Sequence, residues 1–440
     1  MPPDAPGQMS GDAKERLAPD VSEGAGEPAP AAPEYRTRWL YFAKFAWGAC
    51  FGRFMSLYYA SEGLNEAEVG AVFALGSLTG PFISTAVGVL ADRLALRSAS
   101  ARTTCFGACV VVGTIVFSLQ ALRPPGVSRF AVMLTARVLL NGCNASADVL
   151  VNAITVQGLR DRRRFGQERL YGAVSWAVAH VVLGVLIDLY GCKVQHICIL
   201  LGAALCLFVL FSVGHPSPTA GQGTAPSSAG PGLAALADNT ALVALLRSYV
   251  SSWTTLAFMA YAVTLGYGMT IVEHLIFLLF RSIGASNSLC GLSVVVTVVF
   301  EIPLFAASPL LLRKLGVSRL LAVAGLCYSF RVVGYTLCPG GWYVLLFEPM
   351  HGVTIAAWST ASVELVASIT PGALAATGQA FLNFVRGGIG ASAGNLIGGI
   401  IIRTHGESAC YRLAAAVVMA GLVTYASASL HQRRLLSAGG

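Results

Sequence analysis

The run HICILLGAALCLFVLFSV, residues 196–213, contains no Asp, Glu, Lys or Arg and is long enough to cross a lipid bilayer as a helix. Similar runs recur along the 440 residues, and only 11% of the residues are charged, against about 25% in an ordinary soluble domain. So few charges cannot cover a soluble surface of this size. The composition therefore predicts an all-α integral membrane protein that crosses the bilayer many times, rather than a β-barrel of short alternating strands.

Twelve apolar segments can be counted, and a stretch rich in Pro, Gly and Ser separates the first six from the last six. We therefore predict twelve transmembrane helices in two pseudo-symmetric six-helix bundles, residues 39–213 and 247–431, joined by a cytosolic linker at 214–246. Residues 1–38 and 432–440 are predicted to be cytosolic tails, the first of them disordered. The segments are 39–60, 67–91, 103–122, 130–158, 170–189, 196–213, 248–280, 286–311, 319–337, 342–367, 374–402 and 408–430.

The basic residues are distributed unequally between the two sides of the predicted membrane. If both termini are cytosolic, sixteen Lys and Arg residues flank the cytosolic ends of the segments and six flank the opposite ends. This bias agrees with the positive-inside rule. Because the basic residues are spread among short loops, the net charge of +8 indicates topology and not a nucleic-acid partner. Nothing in the pattern distinguishes the plasma membrane from an organelle membrane.

The two halves of the chain share a sequence pattern. GVLIDLYG at 184–191 recurs in pattern as GIIIRTHG at 399–406, and a basic turn follows both the second and the eighth segment. Two related six-helix bundles with a solute bound between them is the plan of a secondary transporter.

Several ionisable residues fall inside the apolar segments. Each costs a few kcal/mol at the bilayer centre, so it either belongs to a transport pathway or forms a structural ion pair that orients helices. These residues are Arg53, Asp148, Glu273, Glu301, Arg331, His351 and Arg386, with Glu364 nearer a helix end. Lys44 and Arg137 lie close enough to segment ends that we expect them to snorkel to the membrane surface.

Two further patterns concern the packing of single helices. Asn141, Asn144, Asp148 and Asn152 share one face of the fourth segment, which favours an aqueous cavity that binds solute, although interhelical hydrogen bonds would need the same pattern. In the eleventh segment Gly390, Gly394 and Gly398 form a ridge of small residues that predicts close helix packing.

Residues 88–97, GVLADRLALR, resemble the G-x-x-x-D-R-x-G-R-R signature of the major facilitator superfamily, which implies a gating motif at Gly88, Asp92 and Arg93. Residues 165–176, FGQERLYGAVSW, together with charges in segments 8 to 10, are similar to a narrower branch. That branch holds the lactose-permease-type oligosaccharide:proton symporters, the nucleoside:proton symporters and the eukaryotic MFS-associated-domain proteins.

The resemblance implies roles for residues of both bundles. In the first, Arg169 and Trp176 occupy the places of residues that contact sugar in lactose permease, and Asp148 is the nearest candidate for the sugar-binding acid of its fourth helix.

In the second bundle, the resemblance implies a charge network of Glu301, Arg331 and His351. Thr354 stands where the branch has its proton-carrying glutamate, and Glu348 could substitute from the same helix face. A charge pair between the seventh and eleventh helices is implied at Glu273 and Arg386.

These patterns predict a secondary transporter that moves a sugar- or nucleoside-like solute by alternating access, with a proton as the coupling ion. We expect no cofactor, metal or enzyme activity, because the sequence has no Walker A loop, H-E-x-x-H motif or metal-spaced Cys/His set. We also expect the protein to be a monomer. The open alternatives are an uncoupled facilitator and a non-transporting receptor or scaffold on the same fold.

Overall fold

The computed structural model describes residues 35–98, 100–159, 164–213, 243, 247, 249, 252–370 and 374–438. Most of the predicted first tail and linker lie outside the described residues. The described residues form helices in the order α1 (Tyr35–Ala49), α2 (Met55–Ser61), α3 (Glu66–Ala95), α4 (Ala101–Leu119), α5 (Arg129–Gly158), α6 (Phe165–Tyr190), α7 (Gln195–Val213), α8 (Trp253–Ser282), α9 (Asn287–Tyr335), α10 (Pro349–Ile369), α11 (Ala375–Asn383), a π-helical segment (Phe384–Gly390), α12 (Ala391–His405) and α13 (Glu407–Ala438).

The prediction of an all-helical membrane protein is confirmed. In the described part of the chain, nine helices are long and apolar enough to cross a membrane. The first apolar segment differs from its prediction, because the helix is interrupted between Ala49 and Met55. The eighth and ninth segments lie in one element, α9, which has non-helical dihedral angles at Gly316 (φ 74°). The count of twelve spans stays a prediction.

The ends of several helices follow from local chemistry. Asn65 caps α3, since its side chain accepts a hydrogen bond from the Glu68 amide (3.0 Å) while the Glu68 carboxylate accepts one from the Asn65 amide (2.9 Å). Gly191 ends α6 and Gly406 ends α12 with nearly the same dihedral angles, φ 77° and 83°, which only glycine adopts without strain. The sequence repeat is therefore also a repeat of structure.

The helices pack as two sets, α1–α7 and α8–α13, which meet along two seams. In one seam α6 packs on α9, and in the other α3 packs on α12. Backbones touch in both: a Cβ at Gly184 would overlap the Asn287 carbonyl oxygen, and a Cβ at Gly399 would overlap that of Glu66. We call the end of the molecule at which α3 and α9 begin, and α6 and α12 end, the closed end.

Within the second half, the glycine ridge packs as predicted. Cβ atoms at Gly390 and Gly394 would collide with the carbonyl oxygens of Val263 and Tyr267 on α8, and Gly398 lies against Ile271 one turn further on. The absence of side chains on one helix face lets the two backbones approach closely.

Asp188 links the halves at the closed end. Its carboxylate accepts hydrogen bonds from the backbone amides of Asn287 (3.0 Å) and Ser288 (2.7 Å) and from both of their side chains. These amides form the N-terminus of α9, where a negative charge is favourable. One residue of the first half therefore caps a helix of the second half.

We expect Asp188→Asn to shift the molecule toward states that are open at this end. An amide offers one acceptor oxygen instead of two and no charge, and the loss of about 1.4 kcal/mol changes the ratio of two conformations about tenfold. Spin labels at the exposed positions Val127 and Trp342, in a variant whose native cysteines are replaced, measure the width of this end by double electron–electron resonance. Glu68→Gln, which weakens a helix cap within one half, is the control. An unchanged distance distribution in Asp188→Asn would contradict this role.

Candidate functional site

The interruption of the first segment places an arginine between the two halves. The helix ends at Ala49, and the next one begins at Met55. In the irregular stretch between them, the Phe51 carbonyl oxygen accepts a hydrogen bond from Nη1 of Arg137 on α5 (3.1 Å). Irregular backbone at membrane depth needs such an internal partner. Arg53 follows in this segment and is only 5% exposed.

Arg53 forms a two-pronged ion pair with Glu273 of α8. Its Nε lies 3.1 Å from Oε2 and its Nη2 lies 2.9 Å from Oε1, while Nε2 of His351 on α10 is 3.4 Å from the same Oε1. Arg386 lies in the π-helical segment, within electrostatic range of Glu273. The described salt bridges of Glu273 are those to Arg53 and His351, and the implied pair with Arg386 stays a prediction.

Glu348 and Arg331 are buried in the second half with contrasting environments. The Glu348 carboxylate accepts hydrogen bonds from Thr297 (2.7 Å) and Tyr335 (2.8 Å). The Arg331 side chain is fully buried, yet none of its three nitrogens has a hydrogen-bond partner among the described residues. Its guanidinium lies 5.8 Å from the Tyr335 ring centre, which compensates the charge only in part.

Glu301 is half-buried and hydrogen-bonds to no described residue. Its backbone is packed tightly against α10, since a Cβ at Gly352 would lie 2.8 Å from the Glu301 nitrogen. Arg53 and Arg169 of the first half lie within electrostatic range of its carboxylate. The Glu301 carboxylate therefore has charged residues of both halves within electrostatic range and no hydrogen-bond partner among the described residues.

The polar stripe on α5 divides into bonded and free residues. Asn141 donates to the Gly76 carbonyl oxygen (2.6 Å), and Asn152 accepts from the Tyr41 hydroxyl (2.7 Å). Asp148 forms an ion pair with Lys44. Only the buried Oδ1 of Asn144 has no partner among the described residues. Three of the four residues therefore bind groups on other helices, which is the alternative to a solute cavity that the sequence left open.

The expectation that Lys44 and Arg137 snorkel to the surface is wrong. They are 3% and 5% exposed, Lys44 against Asp148 and the Phe45 ring, Arg137 against the Phe51 carbonyl and the Phe73 ring. Position along the segment did not reveal that Asp148 of α5 and the Phe51 carbonyl of the first segment would provide buried partners.

Trp176, Asn144 and two glycines lie together in the first half. Trp176 is half-buried and roughly perpendicular to the Phe45 ring, and Cβ atoms at Gly48 and Gly52 would lie 3.9 Å and 2.8 Å from the indole. The same Gly48 position is 3.6 Å from Asn144 Oδ1. The group therefore combines an aromatic ring with a hydrogen-bond acceptor that has no partner among the described residues. Arg169, two turns before Trp176 on α6, is exposed.

The residues of the implied gating motif lie where α3 ends, at the end of the molecule opposite to the closed end. Asp92 pairs with Nη2 of Arg102 on α4 (2.8 Å), Gly88 is buried, and Arg93 is exposed.

The fully buried Glu168 on α6 was not singled out by the sequence analysis. It accepts hydrogen bonds from Thr37 (2.7 Å) and Arg38 (2.6 Å) and so joins α1 to α6. An acid within a strongly basic stretch, residues 160–169, was the available signal.

Comparisons with known proteins agree with this architecture. Residues 35–413 match the MFS_1 like family. The maltose permease of Geobacillus stearothermophilus is 23% identical over 374 residues, which cover 83% of this chain and 87% of the permease.

Among solved structures, the nucleoside transporter NupG superposes with a TM-score of 0.72 at 16% identity, covering 90% of this chain and 98% of NupG. A bacterial homologue of the human lysosomal transporter Spinster, solved in an inward-facing and unoccupied conformation, gives 0.60 at 14% identity over 90% and 94% of the two chains. These likenesses concern the fold. On its family match, this chain belongs to the MFS_1 like family and is an integral multi-pass transporter of the major facilitator superfamily.

Proposed function

We propose that this transporter is a secondary active symporter that moves a small polar organic solute, sugar- or nucleoside-like, together with protons. In this proposal twelve helices span the membrane, both termini are cytosolic, and two six-helix bundles rock about a central site. Asn144, Asp148, Arg169 and Trp176 form the solute side, and Asn141 and Asn152 on the same face of α5 hold that helix to its neighbours through the Gly76 carbonyl and the Tyr41 hydroxyl. Glu273, Glu301, Arg331, Glu348, His351 and Arg386 form the charge network, and Gly88, Asp92 and Arg93 form the gate.

The observation that carries the proposal is that unpaired polar groups lie on both halves. The first half offers Asn144 Oδ1 beside the Trp176 ring, together with the exposed Arg169. The second offers the Glu301 carboxylate, within electrostatic range of Arg169. Buried polar groups are almost always hydrogen-bonded, so the buried Asn144 Oδ1, which has no partner among the described residues and lies next to an aromatic ring, fits a solute with hydroxyl or amide groups and an apolar ring face.

Proton coupling is supported by carboxylates placed next to arginines that can change their distance. A carboxylate releases its proton when a cation approaches and binds one when the cation leaves. Two bundles that rock against each other change such distances, so proton binding and conformation become linked.

A second candidate is a facilitator without proton coupling, and one observation favours it. Thr354, at the position of the branch's proton-carrying glutamate, donates its hydroxyl to the Met350 carbonyl oxygen (2.8 Å). A threonine cannot carry a proton in this way. Under this alternative, solute moves only down its own gradient.

Reconstitution into liposomes tests the proposal. We expect an inward proton gradient to drive accumulation of at least one probe among maltose, lactose, uridine and adenosine, with acidification of the lumen recorded by an internal pH dye. Glu301→Gln and Glu348→Gln identify carboxylates on which coupling depends. Uptake with no change in lumenal pH would instead establish the facilitator, and no uptake of any probe would contradict the proposed solute class.

Asn144 and Asn141 provide a matched pair for the solute site. We expect Asn144→Ala to raise the KM for the transported probe about fivefold, since one hydrogen bond contributes about 1 kcal/mol, while the thermal midpoint stays unchanged. Asn141→Ala should lower the midpoint and leave KM unchanged, because its amide binds the Gly76 carbonyl. The reverse pattern, measured by initial uptake rates and thermal unfolding in detergent, would contradict this assignment.

Asp148 is expected to contribute to stability through Lys44. Asp148→Asn leaves the buried ammonium of Lys44 without its counter-ion, and breaking such a pair from one side costs about 3 kcal/mol. We therefore expect a lower thermal midpoint, which the double variant Lys44→Met/Asp148→Asn partly restores. A midpoint unchanged in the single variant would show that the ion pair is not structural.

A further inference from the structure

The ion pair between Arg53 and Glu273 differs from the others in the described transmembrane helices because its partners belong to different halves. Lys44 with Asp148, Arg38 with Glu168 and Arg102 with Asp92 each join helices of the first half. Arg53 lies before α2 and Glu273 lies on α8. Any motion that separates the halves at the closed end acts directly on this pair.

Arg53 is held to the first half on both sides along the chain. Arg137 of α5 holds the Phe51 carbonyl two residues earlier. Tyr58, one turn into α2, binds His196 of α7 (3.0 Å). The same segment also touches the second half, since the centre of the Phe54 ring lies 4.8 Å from that of the Phe277 ring of α8. Arg53 therefore lies at the boundary of the two halves, and rotation of the first half changes its distance to Glu273.

The other groups near Glu273 belong to the second half and stay with it. His351 touches the carboxylate from α10, while Glu301 of α9 and Arg386 of the π-helical segment lie within electrostatic range. Arg331 of α9 acts on His351, and Glu348 lies within range of Arg53. Among these charges, Arg53 is the one whose distance to Glu273 must change when the closed end opens.

The Glu273 carboxylate is accessible to solvent. Its side chain is 35% exposed, although that of Arg53 beside it is 5% exposed. At the closed end, backbones touch between α6 and α9 and between α3 and α12. We take the opposite end as the exit for a proton displaced from Glu273 in the present state.

We propose that Glu273 is the proton-carrying carboxylate of this transporter and that Arg53 is the positioning residue that expels the proton. When the closed end opens, Arg53 withdraws, and the Glu273–His351 pair takes up one proton from water on that side. When the closed end seals, Arg53 returns to the carboxylate and the proton leaves to water of the opposite side. This inference rests on the proposed function, in which Glu301 and Glu348 were the candidate carriers, and assigns the coupling to a different acid.

Linkage makes the proposal testable without a solute. If one proton binds only when the closed end is open, lowering the pH favours the open form, and the ratio of the two forms changes up to about tenfold per pH unit. The Val127–Trp342 spin-label pair measures this ratio in solute-free, lipid-reconstituted protein between pH 5 and 9. The wild-type side chains should give a population of longer distances that grows as the pH falls.

Two variants should abolish this dependence for different reasons. Glu273→Gln cannot bind the proton and lacks the ion pair, so the closed end should be more open at every pH. In Arg53→Gln, Glu273 meets the same neighbours in both forms, so the pH dependence should flatten. Arg53→Lys retains the charge and should keep a pH dependence, displaced along the pH axis, which separates loss of the cation from loss of packing.

Glu62→Gln is the matched control, since Glu62 is a buried carboxylate held by Arg123 and Arg129 within the first half. It should titrate like the wild type. A pH-independent wild-type ratio, or a wild-type pH dependence in Glu273→Gln or Arg53→Gln, would overturn the proposal. Acidification by the symporter in liposomes is a separate outcome: if it occurs in Glu273→Gln, proton symport stands and Glu273 is not its carrier.

Discussion

The architecture depends on the direct contact of backbones across two seams. Gly184 and Gly291 bring α6 against α9, and Gly399 and Gly70 bring α3 against α12. A lipid-facing helix gains no hydrophobic free energy from leaving lipid for another helix, so association relies on close van der Waals contact and hydrogen bonds. Glycine provides this contact at the cost of any side-chain packing. The closed end is therefore held by close backbone contacts and by the hydrogen bonds of Asp188.

The two seams are related by the internal repeat but are not chemically equal. Gly184 and Gly399 occupy equivalent places, as do the terminating glycines Gly191 and Gly406. Four residues after Gly184 the chain has Asp188, whereas four residues after Gly399 it has Arg403. Both α3 and α9 have a cap of their own, Asn65 and Ser286, but α9 is also bound across the interface by Asp188. The fold is thus nearly symmetric while the bonding that holds it closed is not.

The charges inside the membrane show the same division of roles. Pairs within a half, such as Lys44 with Asp148, satisfy buried groups and fix helix orientation. The pair Arg53 with Glu273 joins the two halves, and in our proposal it ties the conformation to the charge of a carboxylate. Arg331 stands apart, since it is fully buried and its three nitrogens have no hydrogen-bond partner among the described residues, which is a costly arrangement. In the proposed transporter one kind of charge stabilises each bundle and the other couples their motion.

The sequence by itself determined that this is a helical membrane protein of two related halves, because the transfer of a segment into lipid depends on its own composition. Periodicity also identified the glycine ridge on the eleventh segment and most of the buried ionisable residues. Only the tertiary structure decided how these residues pair: that Glu273 binds Arg53 of the other half, and that Asn141 is bonded while Asn144 is free. The interruption at residues 50–54 and the π-helical segment at 384–390 also came from the structure. The physical reason is that a charge in the membrane requires a partner, but the spacing along one helix does not say which other helix provides it.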